Sequence, residues 1–129
     1  MVIVLIHWRI KPTEEAIKRF LDFWQTKATI KNKTGLIGEF LSKPLGVDKV
    51  PFKVDDLSPK ADDAPYVSFV NVGLWKDMEA FYQQVGQYFN DDNPLLDFEQ
   101  YRRTRTILNP ESWRIGNYNT PEQSSFHEE

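Results

Sequence analysis

The stretch NVGLWKDMEAFYQQVGQYF, residues 71–89, contains the clearest change of periodicity in this chain. It begins as an apolar, β-branched run that is typical of a buried strand, and Trp75 closes that run. Asp77 is suited to cap a helix, and apolar residues then recur at helical spacing for about three turns. We therefore predict a strand over residues 66–75 and a helix over residues 77–89.

The remainder of the chain supplies the other elements. Residues 2–10, VIVLIHWRI, predict a strand that is apolar on both faces. Thr13 as an N-cap, followed by an acidic first turn, predicts a helix that runs to about Gln25 or Lys27. Further predictions are the second strand over residues 36–45, one or two helical turns over 95–101, the fourth strand over 102–108 and a short strand over 112–118.

The order of these elements predicts the fold. Strand, helix, strand, strand, helix, strand is typical of an α+β, ferredoxin-like split βαβ sandwich. Its sheet is antiparallel and four-stranded, with both helices on one face. We expect a single domain over residues 1–116 and a polar C-terminal tail over residues 117–129.

The first strand also predicts an assembly. One layer of helices can cover only one face of the sheet, and the strand is apolar on both. Pairing of two sheets face to face would bury the second face, so we expect a homodimer of the dimeric α/β-barrel type.

Residues 43–65 are predicted to form a long loop. This segment contains four prolines and scattered charge, with little periodicity. Loops of this length in compact domains are uncommon. A solvated insertion is one interpretation, and a contact with the pocket or with a partner subunit is the other.

The composition excludes several classes of site. The chain has no cysteine, so disulfides, thiolate catalysis and zinc–sulfur sites are excluded, and its two histidines cannot form a multi-histidine metal centre. A net charge of −3 gives no general attraction to nucleic acid or to anionic membranes. The apolar N-terminal run is too short for a signal peptide or a membrane span, so we expect a cytoplasmic protein without a metal.

Two segments carry a resemblance to a known family. The segment VGLWKDMEAF, residues 72–81, and the opening VIVLIHWRIKPTEEAIKRFL, residues 2–21, resemble the antibiotic biosynthesis monooxygenase (ABM) family of the dimeric α/β-barrel superfamily. In element order the resemblance covers residues 1–42 and 66–109. The loop and the tail lie outside it.

The resemblance implies a pocket between the sheet and the helices of each subunit. Some members of the family oxygenate polycyclic phenols without metal or flavin, so no cofactor is expected here. Another branch degrades haem with an Asn, a Trp and a helical His. Trp75 matches that Trp, but residues 77–89 contain no histidine, which argues against haem degradation.

Three residues are candidates for catalysis. His7 could act as a base if its face of the first strand meets the helices, although a structural histidine is the other interpretation. Asn71 and Trp75 alternate with Phe69 along one face of the third strand. Such a face could form the floor of a site for a planar ligand, or it could simply pack in the core.

Further residues are candidates for substrate binding. Tyr82 and Tyr88 could offer hydroxyl groups to the same pocket. Arg9 and Arg103, with Arg105, could bind an acidic group, or they could form a set of salt bridges between subunits with Glu39 and Glu99.

These observations lead to one principal function and two alternatives. The principal expectation is a cofactor-independent monooxygenase that acts on a small aromatic or polyketide-like ligand. The alternatives are a non-enzymatic ligand-binding or stress-associated dimeric α/β-barrel protein, and an isomerase or lyase that acts through His7.

Overall fold

A computed structural model describes residues 1–26 and 34–118 of the chain. The elements in chain order are strand β1 (Val2–Ile10), helix α1 (Glu14–Thr26), strands β2 (Leu36–Ser42) and β3 (Val67–Trp75), helix α2 (Met78–Phe81), a π-helix (Tyr82–Gly86) and strand β4 (Glu99–Leu108).

The four strands form one antiparallel sheet in the order β2-β3-β1-β4. The prediction of an α+β fold with a four-stranded antiparallel sheet is therefore confirmed. The strand order is consistent with the ferredoxin-like arrangement, in which the two strands at the centre of the sheet are the first and the third.

The register of β1 with β3 determines which side chains meet the helices. Trp8 lies opposite Phe69 and Ile6 lies opposite Asn71. Residues directly opposite each other point to the same side of a sheet, so all four belong to one face. We call it the helix face, because Phe20 of α1 packs against Trp8 with ring centroids 5.1 Å apart.

The helix face carries the core. Val4, Ile6, Trp8 and Ile10 alternate along β1 and are all buried. The other members of the buried cluster come from both helical regions, from β3 and from the segment before β4: Ala16, Phe20, Phe69, Trp75, Phe81 and Phe98.

Both predicted helix caps are present. The Thr13 hydroxyl accepts a hydrogen bond from the Ala16 amide at 3.1 Å, and Asp77 accepts one from the Ala80 amide at 2.8 Å. The first helix is described from Glu14 to Thr26, and residue 27, the later of the two predicted end points, lies outside the described residues.

The second helix differs from the prediction. Only Met78–Phe81 is α-helical, and the chain then widens into the π-helix, in which the Gln87 amide donates to the Tyr82 carbonyl at 3.0 Å. Over so short a segment, the spacing of apolar residues is nearly the same in the two helix types. The prediction of one continuous α-helix over residues 77–89 was therefore wrong.

Two further predicted elements are absent from the described part of the chain. Residues 95–101 are not helical, because Glu99 begins β4 and its backbone and carboxylate exchange hydrogen bonds with Leu96, each at 3.0 Å. Residues 112–118 form no strand, and Trp113 is 70% exposed. Residues 119–129 of the predicted tail lie outside the described residues.

The turn that leads into β2 requires glycine. Gly35 has a φ of +86°, and a Cβ at this position would lie 2.6 Å from the Ala80 Cβ. The Gly35 carbonyl accepts a hydrogen bond from the Lys76 amide at 2.7 Å, which holds the start of β2 beside the start of α2.

None of the helices in the described segments is both long and apolar enough to cross a membrane.

Candidate functional site

A small cavity lies on the helix face, and we call it the polar cavity because charged and amide side chains reach it. It has a volume of about 20 Å³, which is close to the space that one water molecule needs. Its lining comes from all four strands, from α1 and from the π-helical region: Ile6, Trp8, Trp24, Glu39, Asn71, Val85, Phe89, Arg103 and Arg105.

A carboxyl–amide pair forms one wall of the polar cavity. The Asn71 Nδ2 donates a hydrogen bond of 2.6 Å to the Glu39 Oε1, across the β2–β3 pair. Asn71 is buried, and burial raises the pKa of Glu39, although the hydrogen bond from Asn71 opposes this shift. Glu39 is therefore a carboxyl group whose charged form is disfavoured by its surroundings.

Arg103 of β4 lines the polar cavity as well, and it belongs to a buried ion pair. The Arg103 guanidinium binds the Glu99 carboxylate through two nitrogens, and both side chains are buried. The same guanidinium lies over the indole of Trp8, with its Cζ 4.9 Å from the ring centroid. Arg103 is thus fixed on both sides, by a carboxylate and by an aromatic ring.

Two buried polar atoms of the lining residues have no hydrogen-bond partner among the described residues. They are the Trp8 Nε1, which is a donor, and the Asn71 Oδ1, which is an acceptor. Buried polar groups are nearly always paired in folded proteins, so such an atom calls for an explanation. A donor and an acceptor left over beside one cavity are what a bound hydroxyl group or a water molecule would satisfy.

Hydrogen bonds from β4 hold the wall of the polar cavity that Phe89 forms. Arg105 donates to the Phe89 carbonyl and, at 2.9 Å, to the Asp91 carboxylate. The hydrogen bond from Arg105 lowers the pKa of Asp91, which keeps this carboxylate charged. The segment that follows the π-helix is held in place by this arginine.

Trp75 and Phe69 share the helix face with Asn71 but lie outside the polar cavity. Trp75 is 1% exposed and packs against Phe81 with ring centroids 5.8 Å apart. Phe69 packs against Phe20 at 5.0 Å. In this structure both side chains fill the core.

His7 and Arg9 lie on the opposite face of the sheet, which we call the open face. His7 is opposite Val70, and its face does not meet the helices. Burial, and then the nearby charge of Arg9, lower the pKa of His7.

The His7 ring takes part in a chain of hydrogen bonds. Its Nε2 lies 2.8 Å from the Ser68 Oγ, and that hydroxyl donates to the Leu57 carbonyl at 2.8 Å. Because the hydroxyl proton is already used, His7 Nε2 must be the donor in the first bond. His7 therefore helps to anchor the long loop on the open face.

Arg9 is held next to this chain. Its guanidinium donates to the Arg102 carbonyl and lies 6.0 Å from the Tyr66 ring centroid and 5.5 Å from that of Tyr101. The Tyr101 hydroxyl accepts a hydrogen bond from the Ala64 amide at 2.8 Å, so the end of the loop is fixed here too.

The structure brings together two of the predicted site residues, Asn71 and Arg103, in the polar cavity. Tyr82 and Tyr88 are 56% and 61% exposed and are not part of its lining. Sequence reasoning did not propose Glu39, Trp8 or Trp24 as pocket residues. Glu39 could have been found, because strand alternation puts it on the same side as Leu41 of β2, where a charged residue is unusual.

No group of three or more His, Asp or Glu side chains in the described segments could hold a metal ion. Comparison of the chain with protein-family models and with curated protein sequences gives no match, so the polar cavity is interpreted from its own residues.

Proposed function

We propose that this chain is an ABM-type monooxygenase that oxidises a small phenolic or polyketide-like ligand in the polar cavity without a cofactor. The observation that carries the proposal is the pair of unpartnered buried atoms, Trp8 Nε1 and Asn71 Oδ1. A phenolic hydroxyl can accept from the first and donate to an oxygen of the Asn71–Glu39 pair. The resemblance to the ABM family supplies the reaction type, and we place the activity in the cytoplasm, as the sequence predicts.

The chemistry requires only dioxygen as oxidant. A phenolate first transfers an electron to dioxygen. One oxygen atom then becomes the quinone carbonyl on a ring carbon that carried two hydrogens. The other oxygen atom leaves as water with those two hydrogens. The protein binds and orients the phenol and keeps the site dry. Trp8, Trp24 and Phe89 provide the aromatic walls.

The size of the cavity sets a condition on this proposal. About 20 Å³ holds one water molecule, so an aromatic ring can enter only if side chains move. Val85 belongs to the π-helix and Phe89 follows it, and both line the cavity. Short π-helical segments are frequent at functional sites, and here the segment forms the wall that has to move outward.

Oxygen consumption with a panel of anthrone-type phenols tests the proposal. We expect Trp8→Phe, which keeps the ring and removes the N–H, to lower the rate about five- to tenfold, because one hydrogen bond contributes on the order of 1 kcal/mol. Trp113→Phe is the matched control, since Trp113 is 70% exposed. Equal rates in the wild type and in Trp8→Phe would contradict the assignment.

A second candidate function is supported by the small size of the cavity. A non-enzymatic ligand-binding protein needs only a site that a small polar molecule can fill. It predicts that phenols change the fluorescence of the buried tryptophans while no oxygen is consumed. Oxygen consumption at a rate that depends on Trp8 would reject this alternative.

We further propose that the chain forms a homodimer through the open face. The centre of that face consists of apolar, half-buried side chains of β1 and β3, among them Leu5 and Val72, which lie opposite each other. The loop is anchored at Ser68 and Tyr101, toward the other end of the face. Phe40 and Leu108, each 43% exposed, extend the apolar surface to both edges of the sheet.

Light scattering after size exclusion tests the dimer. Val72→Glu should give a monomer, because each protomer would bury an unpaired carboxylate at the interface. Met78→Glu is the control, since Met78 is 42% exposed and lies on the helix side. A wild-type monomer at all concentrations would refute the dimer, and a dimer that survives Val72→Glu would place the interface elsewhere.

A further inference from the structure

We infer that Glu39 is the catalytic residue that takes the proton from the bound phenol. The inference rests on the proposed function and adds to it the group that generates the phenolate. It follows from the position of Glu39 in the polar cavity and from the way that Asn71 holds it.

The geometry leaves one carboxylate oxygen of Glu39 for a ligand. Asn71 Nδ2 donates a hydrogen bond to Oε1, and among the described residues no hydrogen bond to Oε2 is present. Glu39 lies on β2, at the edge of the sheet, and is only partly buried. A ligand in the polar cavity can therefore approach Oε2 without breaking the Glu39–Asn71 bond.

The charges around Glu39 leave it unpaired. Two other ionisable groups line the cavity, Arg103 and Arg105 of β4. Arg103 is paired with Glu99 and Arg105 with Asp91. Trp24 of α1 and Val85 of the π-helix contribute uncharged walls. No cation is therefore committed to Glu39, and this carboxylate is more basic than one in a salt bridge.

The proton transfer is balanced within the site. The O–H bond of the phenol breaks, its electron pair stays on the phenolic oxygen, and an O–H bond forms at Glu39 Oε2. The negative charge moves from the carboxylate to the phenolate, so the net charge of the cavity does not change. The Trp8 N–H, which has no partner among the described residues, can then donate to the phenolate oxygen.

The raised pKa of Glu39 supports this role. A general base is most effective when its pKa lies near the working pH, and burial moves Glu39 in that direction. The Asn71 amide holds the carboxyl group in one orientation in either protonation state.

An anaerobic titration separates proton transfer from oxidation. The probe is 4-nitrophenol, whose phenolate has its own absorption band, at a pH at which the free probe is largely protonated. The wild type should bind it as phenolate, and Glu39→Gln should bind it as phenol. Glu79→Gln is the matched control, because Glu79 is exposed on α2 and hydrogen bonds to Gln83.

Oxygen consumption supplies the second readout. Glu39→Gln should lose about 10²- to 10⁴-fold in rate, which is the usual contribution of a general base. Its residual rate should no longer rise with pH in the range in which Glu39 ionises in the wild type. Glu39→Asp keeps the carboxylate but draws it back by one methylene, and it should retain part of the rate. This variant also serves if Glu39→Gln fails to fold.

The two readouts have distinct failures. If the wild type binds the phenolate but consumes no oxygen with any phenol, the oxygenase proposal fails and Glu39 keeps its role as proton acceptor. If Glu39→Gln consumes oxygen within about twofold of the wild type, or binds the probe as phenolate, the role of Glu39 is refuted while the oxygenase stands. If the wild type binds no phenol, both proposals fall.

Discussion

The indole of Trp75 lies over the backbone of Gly73, two residues earlier on the same face of β3. A Cβ at Gly73 would lie 2.9 Å from the Trp75 Nε1 and 3.4 Å from its Cδ1. The glycine thus makes room for a tryptophan that is 1% exposed and packs against Phe81. Trp75 can pack in the core because Gly73 has no side chain beneath the indole ring.

This relationship predicts that Gly73→Ala destabilises the fold. The methyl group would have to displace a fully buried indole, and overpacking of this kind costs about 1–3 kcal/mol. Chemical denaturation measures the free energy of unfolding. Gly38→Ala is the control, because its Cβ would meet the Phe40 ring at an ordinary 3.8 Å. Equal losses in both variants would show that Trp75 does not depend on Gly73.

The Glu99–Arg103 pair predicts a larger loss. Glu99→Gln leaves a guanidinium buried without its carboxylate, and breaking a buried ion pair from one side costs about 3–5 kcal/mol. Asp97→Asn is the matched control, since Asp97 pairs with Arg19 at 3.3 Å on the surface. Exposed pairs of that kind contribute about 0–1 kcal/mol. A Glu99→Gln variant as stable as Asp97→Asn would contradict the assignment.

The free energy of unfolding should depend on pH through two groups, Glu39 and His7, whose effects have opposite signs. The pKa of Glu39 is raised above its ordinary value of 4.5. Between that value and the folded-state pKa the folded chain binds more protons, so Glu39 makes folding less favourable as the pH rises. The free energy of unfolding of the wild type, minus that of Glu39→Gln, should therefore decrease as the pH rises above 4.5.

His7 acts in the other direction. Its pKa is lowered from 6.5, so the unfolded chain binds more protons just below that value. The stabilisation by neutral His7 is fully present above pH 6.5 and is lost as the pH falls toward the folded-state pKa. His7→Gln should remove this part of the pH dependence. If the free energy of unfolding of His7→Gln changes with pH as steeply as that of the wild type, the effect belongs to another group.

The anchoring of the long loop predicts the behaviour of a serine variant. Ser68→Ala removes the hydroxyl that joins His7 to the Leu57 carbonyl, and it leaves both groups without a described partner. Proteolysis within residues 43–65 should become faster, because the loop opens more often. Ser42→Ala is the control, since the Ser42 hydroxyl donates a long hydrogen bond of 3.5 Å to the Phe40 carbonyl of its own strand. Equal cleavage rates in the two variants would refute the anchor.

The fold could be predicted because its signals are local. Each strand and the start of each helix follow from a run of residues, such as the apolar alternation of β1 or the cap at Asp77. The π-helix could not be predicted from the sequence. One inserted residue per turn changes the backbone hydrogen bonds, but it leaves the spacing of the apolar residues in so short a segment nearly unchanged.

The candidate site was harder to predict, since it depends on which face of each strand meets the helices. β1 is apolar on both faces, so its own sequence does not decide whether His7 or Trp8 points toward them. The register with β3 decides it, by placing Trp8 opposite Phe69. Glu39 was expected only as a salt-bridge partner for a related reason, because its bond to Asn71 appears only when β2 and β3 are paired.

Each of the four strands contributes at least one polar side chain to the polar cavity: Trp8, Glu39, Asn71, and Arg103 with Arg105. The first and last of these are separated by most of the chain, and no continuous peptide contains the site without also containing nearly the whole sheet. The site is therefore complete only after the terminal strands β1 and β4 have paired. A truncated chain that stops before residue 99 would lack Arg103 and its carboxylate together, and grafting a single loop or hairpin onto another scaffold could not transfer the site.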